Sequence, residues 1–334
     1  MRGFMKGAAG VLGTLLILGA AAYGYFWYAP APDLPPLSSV AEPLSVQVGD
    51  RERSYLAYVP ANLPPGSPLV IVLHGSAMDG ATMRRWTGYE FDRLADRHGF
   101  VVLYPDGYKE NWNDCRRDAT YAARLENVDD IGFIRLLIER FVSEKGVDPR
   151  NVFAFGYSSG GQMAHRLAIE PSEMVAAVAA VGANLPTPDN SLCAAEGRTA
   201  RVMLVSGTDD PIVPFQGGEV SLFGLASRGM ALSSMASGAA LARRNGIAAG
   251  PDVVRLPSRS PDDATPVERL VWSKGHEPTV TLYVVHGGGH VVPQPAFRFP
   301  RLLGRTAANL NAPSQAVNFF RLSRARPQAV SGTK

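Results

Sequence analysis

A serine held between two glycines is the first residue of this chain that could do covalent chemistry. Gly156-Tyr157-Ser158-Ser159-Gly160 has the form G-x-S-x-G. The string alone is weak evidence, but its setting is informative. The apolar run Asn151–Phe155 reads as a buried strand and Gln162–Ile169 as a helix, so the serine falls on a strand-to-helix turn. A serine on so tight a turn projects its hydroxyl clear of the backbone, where it can attack a carbonyl. Gly156 and Gly160 tolerate the crowding of that turn, and Gly161 lets the helix pack closely. The chemistry would be acyl transfer through an acyl-enzyme, and a serine hydroxyl needs a base to take its proton.

The base should lie downstream, in the order serine, acid, histidine. His165, His276, His286 and His290 follow Ser158. His165 sits too close in sequence to return to the serine, and His276 lies in a polar stretch. His286 and His290 flank Gly287-Gly288-Gly289 just after the last apolar strand. His290 is the expected base, because His286 still borders the strand. Asp209 and Asp210 both follow the strand Arg201–Ser206; Asp210 is preferred, since Pro211 fixes the loop directly after it. Its task would be to hold the imidazole tautomer and stabilise the imidazolium. His74-Gly75 follows the strand Leu69–Leu73, which marks the loop that supplies one oxyanion donor. The expected donors are the backbone amides of Ser76 and Ser159, with His74 structural.

These residues need elements to carry them. Pro43–Val48 and Ser54–Val59, around Gly49-Asp50, predict an antiparallel hairpin. Leu69–Leu73, Phe100–Tyr104, Asn151–Phe155, Val175–Val181, Arg201–Ser206 and Thr279–Val285 predict buried strands. Helices are expected over Thr82–Arg97, Val128–Lys145, Gln162–Ile169, Ser237–Asn245 and Pro313–Arg324. Asn127, Asp129 and Asp130 supply caps to the second of these, which explains the acidic pair better than a metal site does. Asp189–Thr199 and Ala248–Pro278 read as polar, irregular insertions. Strands alternating with helices imply an α/β chain with a mostly parallel, doubly wound sheet. Together with the serine turn this is the pattern of the α/β-hydrolase fold.

The chain has 334 residues, 46% apolar and 19% charged, with a net charge of +3 and no basic run. Nucleic acid is therefore not an expected partner, and the chemistry requires no metal or organic cofactor. Arg2 and Lys6 precede the uncharged stretch Ala8–Tyr28, which ends in Tyr23, Tyr25, Phe26, Trp27 and Tyr28. This is a signal peptide or a transmembrane anchor, with its aromatics suited to a membrane interface. Export to the periplasm or beyond is the expectation, with membrane attachment if the segment is uncleaved. Residues 1–28 would be that segment, 29–42 a proline-rich spacer, 43–324 the catalytic domain of a monomer, and 325–334 a flexible tail. Only two cysteines exist, Cys115 and Cys193. Outside the cytoplasm they are candidates for a disulfide.

Six further segments stand in a fixed order with the serine turn. They are Leu73-His74-Gly75, Tyr104-Pro105-Asp106-Gly107, Trp112-Asn113-Asp114, Val128–Ile134, Gly207–Pro214 and Gly287-Gly288-Gly289-His290. With these the chain resembles the polyhydroxybutyrate depolymerase and feruloyl esterase family of secreted esterases, from about Pro43 to Leu322. The resemblance implies the triad Ser158, Asp210 and His290, in agreement with the residues read alone. It also implies that Trp112 and Asn113 lie near the substrate; on residue type alone Trp112 would be a core residue. Ser159, where similar proteins often carry Asn, and Val291, where they often carry an aromatic, depart from the family pattern. The implied substrates are small or polymeric esters: polyhydroxyalkanoate, feruloyl-sugar or acetyl-sugar. A serine peptidase on the same fold, or a non-catalytic glycan- or polymer-binding relative, are the alternatives.

Overall fold

The structure is a computed structural model that describes residues 17–170, 173–194, 196–258 and 263–322. The first part of the predicted span, residues 1–16, and the predicted tail, 325–334, lie outside these. Residues 17–26 form helix α1. Among the described residues no helix is long and apolar enough to cross a membrane.

The predicted hairpin is β1 (Glu42–Val48) and β2 (Arg51–Tyr58), with Val48 opposite Arg51. After β3 (Leu69–Leu73) come α2 (Gly80–Trp86) and α3 (Glu90–His98). The single helix expected over Thr82–Arg97 is thus broken. Gly88 and Tyr89 turn the chain at φ of 65° and 56°, and the side chain of Thr87 donates to the Arg84 carbonyl at 2.9 Å. The chain continues through β4 (Val101–Pro105), α4 (Ala122–Leu125), α5 (Asp130–Lys145), β5 (Val152–Tyr157), α6 (Ser159–Ile169), β6 (Ala177–Val181) and β7 (Arg201–Gly207). A short pair, β8 (Gly218–Glu219) and β9 (Met230–Ala231), precedes α7 (Ser234–Arg244). Then follow β10 (Asp252–Arg255), β11 (Val267–Lys274), β12 (Glu277–Val285) and α8 (Ala312–Phe319).

One ten-stranded sheet has the order β1-β2-β4-β3-β5-β6-β7-β12-β11-β10. Strands β4, β3, β5, β6, β7 and β12 run parallel. Antiparallel pairs flank them at both edges. The second of these pairs corrects the reading of Ala248–Pro278 as irregular: β10 and β11 both lie within it. The central strands are apolar throughout because both faces are covered. Along β3, Leu69, Ile71 and Leu73 pack with Phe133 and Leu137 of α5. Val70 and Val72 pack on the opposite face with Phe91 of α3.

Two further expectations are refined at α5. Its cap is Asp129, whose carboxylate accepts from the Gly132 amide at 2.7 Å. Asp130 is not a cap. It is buried, pairs with Arg53 at 2.7 Å and accepts from the Asn113 amide at 2.7 Å. Among the described residues no cluster of side chains could hold a metal ion.

Chain order reverses between β3 and its neighbours: β4 lies on one side of it and β5 on the other. In an open parallel sheet, the crevice beyond the carboxyl ends of the strands at such a reversal is where ligands bind. The loops after β3 and β5 both open there.

Candidate active site

Ser158 follows β5 directly, at φ 53° and ψ −115°. Such a backbone is costly for any residue with a Cβ and persists only where its surroundings hold it. Here the Ser158 amide donates to the Val181 carbonyl at 2.8 Å, and its carbonyl accepts from Gln162 at 3.0 Å. The two glycines of the motif are required by close approach. A Cβ on Gly156 would lie 2.0 Å from the Gly160 carbonyl oxygen, and one on Gly160 would lie 2.3 Å from that of Leu73. The elbow is therefore pressed against β3, the strand whose loop carries Ser76.

Asp210 follows β7 and His290 follows β12, neighbouring strands in the sheet. His290 Nδ1 lies 2.7 Å from Asp210 Oδ2, with the two side chains 3% and 2% exposed. The other carboxylate oxygen, Oδ1, accepts from the Ile212 and Val213 amides, both at 2.8 Å. With Oδ2 acting only as an acceptor, the proton on this side of the imidazole sits on Nδ1, and Nε2 is left as the basic nitrogen. The histidine loop is fastened from three sides. Its own amide donates to the Leu303 carbonyl at 2.6 Å. The Tyr157 hydroxyl donates to the His290 carbonyl at 2.8 Å, and the Gly287 amide donates to the Thr208 hydroxyl at 2.7 Å. Tyr157, the variable residue of the motif, thus ties the elbow to the loop of His290. Burial and the nearby Asp210 carboxylate push its hydroxyl pKa up, so it remains a donor.

Ser158 and His290 line one cleft of about 380 Å³, together with Ser76, Trp86, Tyr121 and Arg228. Among the described residues, neither the Ser76 nor the Ser159 amide donates to any other group, so both N–H groups are free for a developing oxyanion. Trp27, just beyond α1, also reaches the cleft. A larger hollow of about 700 Å³ lies beside Cys115 and Cys193, away from Ser158. His165 borders it.

The remaining candidates are placed as follows. His165 is buried, with Nε2 3.1 Å from the Ala183 carbonyl, and burial lowers its pKa to about 4. His286 lies 3.3 Å from Glu268, away from Asp210. His74 accepts from the Gly107 amide through Nε2 at 2.7 Å, and so donates through Nδ1 to the Gly75 carbonyl at 2.7 Å. It braces the loop that holds Ser76, and burial pushes its pKa down. Asp209 is exposed; its amide donates to the Gly288 carbonyl at 2.9 Å and its carboxylate accepts from the neighbouring Thr208 hydroxyl at 3.1 Å. Cys115 and Cys193 are joined as a disulfide, with Cα atoms 5.1 Å apart.

Trp112 and Asn113 are not substrate contacts in this geometry. Trp112 is fully buried, donates to the His74 carbonyl at 2.9 Å and lies against the His74 ring, centroids 4.9 Å apart and planes tilted by 42°. Asn113 donates to Asn127 and to the Val128 carbonyl at 3.1 and 3.0 Å. Both stand behind the cleft wall, and an indole N–H buried there needs such an acceptor. The cleft is lined instead by Tyr121 and Arg228, neither of which any motif marks.

The model of the dienelactone hydrolase family matches residues 56–222, half of the chain, a span that includes Ser158 and Asp210. The protein NocK of Nocardia uniformis subsp. tsuyamanensis, which carries the name of an esterase, is 28% identical over 88% of this chain and 86% of its own length. Feruloyl esterase B of Thermothelomyces thermophilus is 27% identical over 49% of this chain and 66% of its own. The acetyl xylan esterase from Aspergillus awamori superposes with a TM-score of 0.55 at 17% identity, over 84% of this chain and 100% of that one; this likeness is one of fold. A strand-to-helix serine turn, a parallel sheet with chain reversal at β3, and the match across both agree: the chain belongs to the dienelactone hydrolase family, as an ester hydrolase built on the α/β-hydrolase fold.

Proposed function

We propose that this chain is an exported serine esterase in which Ser158, His290 and Asp210 act as a triad. The observation that carries the reading is the shared cleft. Ser158 stands there at φ 53°, beside a buried histidine whose far nitrogen is held at 2.7 Å by a carboxylate. His290 Nε2 takes the Ser158 proton as Oγ attacks the ester carbonyl. The Ser76 and Ser159 amides receive the negative charge of the tetrahedral intermediate. His290 then protonates the leaving alcohol, and the acyl group stays on Ser158. Water, deprotonated by the same nitrogen, releases the acid. Every step uses groups of this chain and water alone.

Feruloyl- or acetyl-sugar esters and polyhydroxyalkanoates are the substrates we favour. The names of the relatives and the resemblance of the motifs support them. Export is supported by the basic residues Arg2 and Lys6 ahead of the uncharged run. The half-exposed Tyr23, Tyr25, Phe26, Trp27 and Tyr28 suit a membrane interface if the segment stays attached.

The test is hydrolysis of p-nitrophenyl acetate by the full chain beside Ser158→Ala, with fluorophosphonate labelling of both. Triad variants of serine hydrolases lose on the order of a million-fold in turnover. Turnover and a fluorophosphonate adduct in the parent, with neither in Ser158→Ala, are expected. Equal activity in the two proteins would remove Ser158 from the mechanism. A folded parent that neither turns over nor labels would favour the binding-protein alternative.

A further inference from the structure

The cleft holds a hydrogen-bonded chain that the triad does not use. Arg228 Nε donates to the Tyr121 hydroxyl at 2.7 Å, and that hydroxyl lies 2.9 Å from Ser76 Oγ. All three residues line the same cleft as Ser158 and His290. Tyr121 is 9% exposed and is gripped by cations, with the Arg228 guanidinium 4.2 Å and the Arg116 guanidinium 5.6 Å from its ring centre. Arg116 is itself fixed by Asp114, at 3.0 Å through Nε and 2.5 Å through Nη2. The phenol is therefore held in one orientation.

The polarity of this chain follows from donor chemistry. A guanidinium N–H only donates, so Tyr121 Oη accepts from Arg228. The phenol has one hydrogen, and the partner within reach for it is Ser76 Oγ. The reverse polarity would load Oη with two donors and leave the phenolic hydrogen with no acceptor among the described residues. Ser76 Oγ thus accepts from Tyr121, and its own hydrogen is left to point elsewhere. The residue carrying that hydroxyl is the one whose amide is already free toward the cleft.

We infer that the Ser76 hydroxyl is a third donor to the oxyanion, beside the Ser76 and Ser159 amides, and that Tyr121 and Arg228 are positioning residues that set its direction. This rests on the serine-esterase reading above, in which the oxyanion forms at the ester carbonyl attacked by Ser158. A hydroxyl oriented before the reaction adds stabilisation only where charge develops, so it raises kcat rather than lowering KM.

The experiment is steady-state hydrolysis of p-nitrophenyl acetate by the full chain and its Ser76→Ala, Ser76→Thr, Tyr121→Phe and Ser76→Ala/Tyr121→Phe variants, with Ser158→Ala alongside. One oxyanion donor of a set typically contributes about 10²–10³-fold in kcat; with two amides remaining, Ser76→Ala is expected near the lower end, about 10²-fold. KM should stay within about three-fold, because the contact forms with the developing charge. Ser76→Thr, which keeps the hydroxyl, should recover most of the lost kcat. Tyr121→Phe should lower kcat in the parent but not further in the Ser76→Ala background, since both changes remove the same directed hydrogen. An unchanged kcat in Ser76→Ala, or losses for Ser76 and Tyr121 that multiply, would overturn the inference while an inert Ser158→Ala leaves the esterase mechanism standing. A fully active Ser158→Ala would overturn both, since the oxyanion would then form elsewhere.

Discussion

Replacing Asp210 by Asn changes one atom and should nearly silence the enzyme, for a reason set by the loop after β7. Oδ1 of Asp210 accepts two amide hydrogens, from Ile212 and Val213 at 2.8 Å, and Oδ2 faces His290 Nδ1 at 2.7 Å. In Asp210→Asn the carboxamide can keep its oxygen toward the two amides, which puts its NH2 against Nδ1. Turning the amide over would point NH2 at two N–H donors and forfeit both bonds, each costing about 1–3 kcal/mol when a buried partner is left unpaired. The carboxamide therefore donates to Nδ1, and the imidazole proton moves to Nε2. That is the nitrogen that must accept the Ser158 proton, so the base is present in the wrong tautomer. The corresponding change in a well-studied triad lowers kcat about 10⁴-fold, or roughly 5.5 kcal/mol at 1.36 kcal/mol per decade. The assay is kcat for p-nitrophenyl acetate at neutral pH, with a urea unfolding curve to show that the fold is retained. Asp209→Asn is the control: among the described residues the Asp209 carboxylate accepts only from the Thr208 hydroxyl, and its kcat should stay within about two-fold. If Asp210→Asn keeps more than about a tenth of the parental kcat, or if Asp209→Asn is the more damaging change, the tautomer argument and the assignment of Asp210 are wrong.

Two further outcomes concern stability. Burial holds the His165 pKa at about 4, below the ordinary unfolded value of about 6.5; the folded state therefore binds fewer protons than the unfolded one between these values. Stability then rises with pH across this window and is lost as pH falls through it, by up to roughly 1.4 kcal/mol per pH unit. The urea midpoint should fall between pH 7 and pH 5, and less steeply in His165→Gln; an equal fall in both would clear His165. The Cys115–Cys193 bond closes a long loop, with a sequence separation of 78, so the full chain recovered from an oxidising compartment should show no titratable thiol when denatured without reductant. Cys115→Ser/Cys193→Ser should lower stability by at most about 4–5 kcal/mol, and two titratable thiols in the parent would refute the pairing.

What could be read from the sequence was whatever local context and chain order encode. Ser158 was legible because a strand, a turn with two glycines and a helix adjoin it, and the crowding that demands glycine at 156 and 160 is a short-range fact. His290 and Asp210 were legible as loop residues after apolar runs, since a buried parallel strand announces its own end. Which side of its loop a residue occupies has no such local sign. Trp112 and Asn113 look the same in sequence whether they face substrate or core, and what decides the matter is that an indole N–H finds the His74 carbonyl. Strand β11, one in from the sheet edge, was hidden for the opposite reason. Glu268 and Arg269 sit among Val267, Leu270 and Trp272, and their half-buried side chains break the apolar run that a central strand would show. The cleft lining lies furthest from local reading. Ser76, Tyr121 and Arg228 come from three irregular loops, the first two at a sequence separation of 45 and the last two at 107. No period links them, and only closure of the sheet brings them together. A hydrolase of this kind thus displays its reaction in its sequence through a few short turns. The lining of its cleft is instead assembled by contacts between distant loops.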